Sequence, residues 1–315
     1  MFVLAPALNT SVPPDITPDN PFVGYNNLVA FNNVAADENA PGFPGSNLAN
    51  PSTNLLWQGI NTNPHSLVVT LSGMEPVDYI AIAGHNFGSQ AISVTPQVSG
   101  GGNPVLDETG NPVLDESGNA LLDETWSSLM AGDPLLDETG NPVLDERGNP
   151  VLGEGAFTPS DDLPLIFRFA LQTAPTAVRL LLGTGNAIPQ AAVLYVGQSL
   201  IFQRRVYVGH SPITMGRKTN VTNGMSESGN FLGRIKIGES RVTSVALKNL
   251  SPASYRLLMD PFIASATQYP FFFAWRPGTY PLETGCCWLM ADAVPVNQLA
   301  NGMMSVTLSL AGIAP

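Results

Sequence analysis

Glycine and proline interrupt this chain so often that long helices have nowhere to form. The 315 residues include 30 glycines and 28 prolines. Each proline removes an amide donor, and each glycine in a helix interior costs about 1 kcal/mol relative to alanine. Between the interruptions lie short apolar runs rich in β-branched residues. Segments 66–72 (SLVVTLS), 77–83 (VDYIAIA), 91–98 (AISVTPQV), 165–171 (LIFRFAL) and 177–182 (AVRLLL) read as strands. So do 200–208, 231–237 (FLGRIKI), 242–247, 269–275 (YPFFFAW) and 304–310 (MSVTLSL). Only 251–266, with Pro252 and Pro261, reads as a helix. Short strands at this spacing, separated by Gly/Pro/Asn/Ser clusters, predict an all-β protein built as a sandwich or jelly roll.

The length fits two units better than one. Residues 1–20 hold four prolines and read as an extended N-terminal arm. Residues 21–197 form a first β-sandwich, and a change of style near 197–203 opens a second over 198–315. Inside the first unit, 104–154 carries an acidic repeat with a period of eight residues: LDETGNPV, LDESGNAL, LDETW, then LDETGNPV, LDERGNPV, LGEG. Each repeat offers an apolar pair to start a strand and an Asp-Glu-x-Gly-Asn turn. Gly110, Gly118, Gly140 and Gly148 supply the turn geometry. The expectation is a series of small hairpins or a projecting two-stranded ribbon.

Charge is concentrated rather than spread. The formal net charge is -12, yet 104–154 alone holds 12 of the 25 acidic residues and one base, Arg147. The rest of the chain is therefore nearly neutral. No Lys or Arg precedes Arg147. A duplex-binding protein needs clustered cations to displace counterions from phosphates, so nucleic acid is not expected as a partner. The beginning of the chain (MFVLAPALNTSVPP) lacks a basic n-region and does not read as a signal peptide, and no apolar run reaches 18 residues.

Catalytic and metal chemistry find little support. The adjacent Cys286 and Cys287 provide no disulfide framework and read as core thiols. The three histidines, His65, His85 and His210, lie in no nucleophile or metal spacing. The Asp-Glu pairs alternate across a strand and match no calcium loop, and a repeat is a poor scaffold for paired glycosidase carboxylates. SGGGNP at 99–104 lacks the ending of a phosphate loop. Neither an enzyme nor a cofactor is expected. Three consecutive phenylalanines, Phe271 to Phe273, cannot all point to one side of a strand. One must meet a second apolar surface, which suggests a subunit contact involving Phe272 and Trp275.

Two stretches resemble known families. Residues 42–57 (GFPGSNLANPSTNLLW), 77–87 (VDYIAIAGHNF), Trp126, 177–182 and 188–196 (IPQAAVLYV) together resemble a discoidin-like, carbohydrate-binding-module-like jelly roll. Residues 204–213 (RRVYVGHSPI), the SESGN turn, FLGRIKI, YPFFFAW and the final MSVTLSLAGI look like tail-tip and distal tail proteins of long-tailed bacteriophages, as do the acidic repeats. The second resemblance implies a structural component of a tail tip. It would be assembled in the host cytoplasm, resident in the virion tail, and in contact with tail tube, hub or fibre proteins and with copies of itself. The first implies an alternative, a module that recognises a host-surface glycan through loops at one end of the barrel; no ligand residue of that family is matched in this sequence, and Trp57, His85, Asn86 and Trp126 are the loop candidates from their own positions.

Overall fold

The computed structural model describes residues 1–5, 18–99, 126–134, 152–206, 208–298 and 302–313. The expected octapeptide hairpins fall almost wholly outside these residues. Within 104–154 only a short pairing of Ala131–Pro134 with Leu152–Glu154 and the strand Ser127–Ser128 are described.

The protein is all-β, in four layers. The outer sheet has five strands in the order Val34–Ala36, His65–Thr70, Ala177–Leu182, Val94–Ser99 and Ser127–Ser128. The central sheet has four: Phe2–Leu4, Leu165–Gln172, Val77–Ala83 and Val193–Gly197. Phe2–Leu4 runs parallel to its neighbour and the other pairings are antiparallel. The third sheet follows the path Leu200–Ile201, Phe22–Gly24, Phe271–Ala274, Thr284–Leu289, Met304–Gly312, Phe231–Leu250 and Arg217–Met225, with Val296–Asn297 added on Met304–Gly312. The fourth layer is a helical segment.

Sequence pattern explains the order of the layers. Strands of the outer sheet alternate buried and wetter positions, as in HSLVVT and AVRLLL, because one face meets the core and the other meets solvent. Strands of the central sheet are nearly continuously apolar, as in VDYIAIA and VLYVG, because both faces are covered. On one face Ile80, Ile82, Phe167 and Leu194 pack against Leu67, Val69, Val178 and Leu180 of the outer sheet. On the other face Tyr79, Ala81, Ile166 and Tyr195 pack against Phe22, Phe272, Ala274 and Cys286 of the third sheet. The third sheet thus completes a second sandwich by sharing the central sheet.

The phenylalanine run shows the consequence. Phe271 and Phe273 join the core beneath the helix, while Phe272 turns to the central sheet, where its ring meets Tyr195 edge-on at 5.3 Å. The second apolar surface required by consecutive phenylalanines lies within this chain, not on another subunit. Cys286 and Cys287 divide in the same way, one thiol to each side, and both are buried and unpaired. Burial pushes the Cys286 thiol up to about 12, so it stays protonated.

The expected helix at 251–266 is present as Pro252–Ser254, a π-helical turn at Tyr255–Met259 and Asp260–Ala266. Ser251 caps it, its hydroxyl accepting from the Ser254 amide at 3.1 Å, and Pro252 occupies a position that needs no amide donor. Tyr255, Met259, Phe262, Ile263 and Ala266 form the buried stripe.

Strand pairing also crosses the expected unit boundary. Phe22–Gly24, placed by sequence in the first sandwich, hydrogen-bonds into the third sheet between Leu200–Ile201 and Phe271–Ala274. The expected N-terminal arm starts as the strand Phe2–Leu4 of the central sheet, and residues 6–17 lie outside the described residues.

Candidate functional site

Four of the six residues singled out by sequence serve the scaffold. Trp57 is fully buried, donates its indole N–H to the Glu38 carbonyl at 3.1 Å and packs edge-on against the His65 ring. Phe272 is fully buried as described above. His85 follows Gly84, whose φ of +66° and close approach to Ala192 make the turn that tucks the imidazole inward. Its Nε2 lies 2.9 Å from the Leu163 carbonyl and its Nδ1 accepts from the Phe87 amide at 3.3 Å, while the ring stacks on Phe87. Both nitrogens are therefore used by a neutral ring, and burial lowers its pKa to about 4. Asn86 ties two loops together, donating to the Ile188 carbonyl at 2.9 Å and accepting from the Gln190 amide at 3.0 Å.

The remaining two keep some surface. Trp126 lies under the Arg179 guanidinium, whose carbon sits 4.3 Å from the ring centroid. Trp275 stacks on Tyr280 at 5.5 Å, donates its indole N–H to Glu283 and is flanked by His210 and Arg276.

Geometry brings together a different set. Where the central sheet, the third sheet and the end of the helix converge, a cleft of about 400 Å³ is lined by Tyr25, Asn26, Asn27, Tyr195, Ser265 and Tyr269, with small apolar residues between them. Tyr25 and the two asparagines follow directly from Phe22–Gly24, Tyr195 comes from Val193–Gly197, and Ser265 and Tyr269 come from the helix end and the turn after it. Hydrogen bonds hold this lining in place. The Tyr195 hydroxyl donates to the Pro270 carbonyl at 2.9 Å, and the Tyr79 hydroxyl donates to the Asn26 carbonyl at 3.0 Å. Asn27 Oδ1 accepts from the Val29 amide at 3.1 Å and the Val196 amide at 3.2 Å. The Tyr25 ring rests edge-on against Phe262 at 5.3 Å.

The electrostatics of the cleft are plain. Among the described residues, no Asp, Glu, Lys, Arg or His lines it. Burial raises the pKa of Tyr25 and Tyr195, so both hydroxyls remain neutral donors and acceptors. Such a lining offers aromatic faces, hydroxyls and oriented amides. Among the described residues, no group of three or more His, Cys, Asp or Glu is placed to hold a metal ion. No described helix is long and apolar enough to cross a membrane. Sequence reasoning missed the cleft because its tyrosines lie far apart in the chain and share no local motif.

No protein-family model matches the chain, and no curated protein matches it. Among solved structures, it is similar to chitosan-binding module 1 from a chitosanase/glucanase of Paenibacillus sp. IK-5, at 15% identity over 55% of this chain and 99% of that one, with a TM-score of 0.35. It is similar to CpGH89CBM32-5 from Clostridium perfringens, solved in complex with GalNAc-β-1,3-galactose, at 14% identity over 52% and 94%, with a TM-score of 0.32. A Ruminococcus gnavus GH29 fucosidase in complex with fucose aligns at 13% identity over 53% of this chain and 25% of the enzyme, with a TM-score of 0.31.

Proposed function

We propose that this chain is a non-catalytic recognition protein whose cleft holds a neutral, hydroxyl-rich ligand of the carbohydrate class. The observation that carries this reading is the lining itself: three tyrosines and two asparagines and, among the described residues, no carboxylate, amine or imidazole. Sugars present apolar C–H faces to aromatic rings and hydroxyls to amides, and a neutral cleft imposes no charge on them. The direct test is a glycan array followed by calorimetry on the full chain. Saturable binding to a neutral glycan is expected, with at least a tenfold loss in Tyr269→Ala. Tyr269 is 55% exposed, so its removal leaves the core intact. No saturable binding, or binding untouched by Tyr269→Ala, would sink the proposal.

A second reading, structural assembly of the kind implied by the resemblance to phage tail-tip proteins, is favoured by a separate observation. The antiparallel pair formed by Arg217–Met225 and 231–240 projects from the third sheet with Met225, Phe231, Leu232, Ile235 and Ile237 all exposed. Exposed apolar ribbons of this kind are interaction surfaces or liabilities. On this reading the chain sits in a virion tail, in contact with other tail proteins and with its own copies, and Trp275 and Trp126 are further contact candidates. Immunogold labelling of purified virions tests it, and particles that never bind antibody to this chain would count against it.

A further inference from the structure

The outer strand of the ribbon leaves its backbone unpaired along one side. Arg217–Met225 ends the strand order of the third sheet and pairs only with Phe231–Leu250. Hydrogen bonds at both ends show which residues face inward. The Val242 amide donates to the Gly216 carbonyl at 2.7 Å, and the Ser226 amide donates to the Asn230 carbonyl at 2.8 Å. Inward and outward residues alternate along an antiparallel strand, so Lys218, Asn220, Thr222 and Gly224 bond to Phe231–Leu250. Thr219, Val221, Asn223 and Met225 aim their N–H and C=O groups the other way. Among the described residues, no backbone group meets them there.

Nothing in this strand guards its free edge. Edge strands are commonly blunted by proline, by a bulge or by charges spread along them. Arg217–Met225 contains no proline, and both register shifts place the extra residue, Leu232 or Ile237, on the opposite strand. Its two charges, Arg217 and Lys218, sit together at one end, and every residue except Val221 is fully exposed. A two-stranded ribbon is marginal by itself in water, whereas two ribbons joined edge to edge make four strands.

The strand is its own complement. Full antiparallel overlap with the same strand of a second copy sets Val221 opposite Val221, Thr219 opposite Asn223 and Arg217 opposite Met225. Every outward residue then meets an outward residue, so the free donors and acceptors can form a ladder. Like charges stay apart: the Arg217 residues of the two copies lie roughly 27 Å from each other at 3.4 Å per residue. Each cationic end instead meets the other copy's 226–230 turn, which carries Glu227. Among the described residues, neither Lys218 nor Glu227 has an ion pair within its own chain. A strand cannot lie beside itself, so this complement exists only on a second copy. We propose that Arg217–Met225 of two copies pair edge to edge about a two-fold axis at Val221, joining their third sheets into one continuous sheet. This inference rests on the assembly reading above and names one contact between copies.

Sedimentation velocity on the full chain tests the proposal with the variant Val221→Pro. The Val221 amide points outward, so proline there removes no bond within the ribbon but blocks a strand arriving at its edge. Wild type is expected to dimerise with rising concentration, and Val221→Pro to do so at least tenfold more weakly while keeping the wild-type near-UV circular dichroism. Cross-linking tests the register without relying on proline. Thr219→Cys and Asn223→Cys lie opposite each other across the two-fold, with Cα atoms about 5.5 Å apart, which is within disulfide reach. Each lies roughly 14 Å along the strand from its own counterpart. Oxidation of the two variants mixed should therefore give a disulfide-linked dimer, and oxidation of either alone should not. The native thiols of Cys286 and Cys287 are buried and do not compete. If Val221→Pro folds and associates as wild type does, or the mixture cross-links no more than either variant alone, this inference is wrong and the assembly reading survives through another surface. A wild-type chain that is monomeric at every concentration also overturns the inference, and virion labelling then decides the assembly reading separately.

Discussion

Two strands that both read as apolar runs in the sequence meet opposite fates in this protein. Val77–Ala83 is covered on both faces and its apolar side chains are almost wholly inaccessible. The first half of Phe231–Leu250 is exposed on both faces, with Ile235 71% accessible. The second half of that same strand, from Arg241 onward, joins the core through Val245, Leu247 and Leu250. Apolar composition thus does not determine burial. A strand is buried where another layer lies over it, and the ribbon runs past the end of every layer that could cover it. The difference separates residues that make the fold from residues that the fold leaves in water.

The comparison breaks most visibly under truncation in the shared layer. Phe272→Ala removes a ring packed between the central and third sheets and should cost about 3–5 kcal/mol, read as a large drop in the urea midpoint. A value below about 1 kcal/mol would mean that the two sandwiches are not joined through this layer.

The next effect is nearly as large but depends on pH. His85 sits in the central core as a neutral ring, with its pKa lowered from an ordinary 6.5 to about 4 by burial. The unfolded chain takes up a proton at the ordinary value and the folded chain only at the lower one. Its contribution is therefore complete above pH 6.5 and is lost as pH falls towards 4, by roughly 3 kcal/mol in total. Other groups titrate in that window, so the measurement is the difference between wild type and His85→Gln. The variant should be less stable at pH 7 and should lose less between pH 6.5 and 4. Parallel curves would show that the imidazole is not buried neutral. Core thiols give a third check: Cys286 and Cys287 should react with an alkylating reagent only at the rate of global unfolding.

Much of the buried architecture was legible because it follows local periodicity. Alternation in HSLVVT and AVRLLL marked one-sided strands, and the unbroken VDYIAIA marked a two-sided one. Ser251 and Pro252 marked the start of the helix. What could not be read were relations across the chain. Nothing near Phe272 says that its partner is Tyr195, and nothing near Phe22 says that its strand crosses into the third sheet. Trp57 and His85 looked like loop residues available to a ligand, because the sequence around each is turn-like. Their side chains turn inward to satisfy Glu38 and Leu163 carbonyls that a sequence does not place. The cleft was hidden for the same reason, since Tyr25, Tyr195 and Tyr269 meet only after three layers have stacked.

The smallest expected effect is the most informative about the ribbon. Phe231→Ala and Ile235→Ala delete as much apolar surface as many core substitutions, yet both side chains are already in water in the single chain. Truncating an exposed residue changes monomer stability by no more than about 0.5 kcal/mol. Small losses of cross-strand contact with Met225 and Thr222 are the only cost, and these are the residues opposite in register. Measured at concentrations below association, the urea midpoints of both variants should therefore coincide with wild type. On the assembly reading, they should fall behind wild type when measured above it, because an associated form would bury these side chains and mass action would add to its stability. A variant that is destabilised equally at both concentrations would place its side chain in the core of the single chain. The contrast between the two halves of Phe231–Leu250 would then disappear.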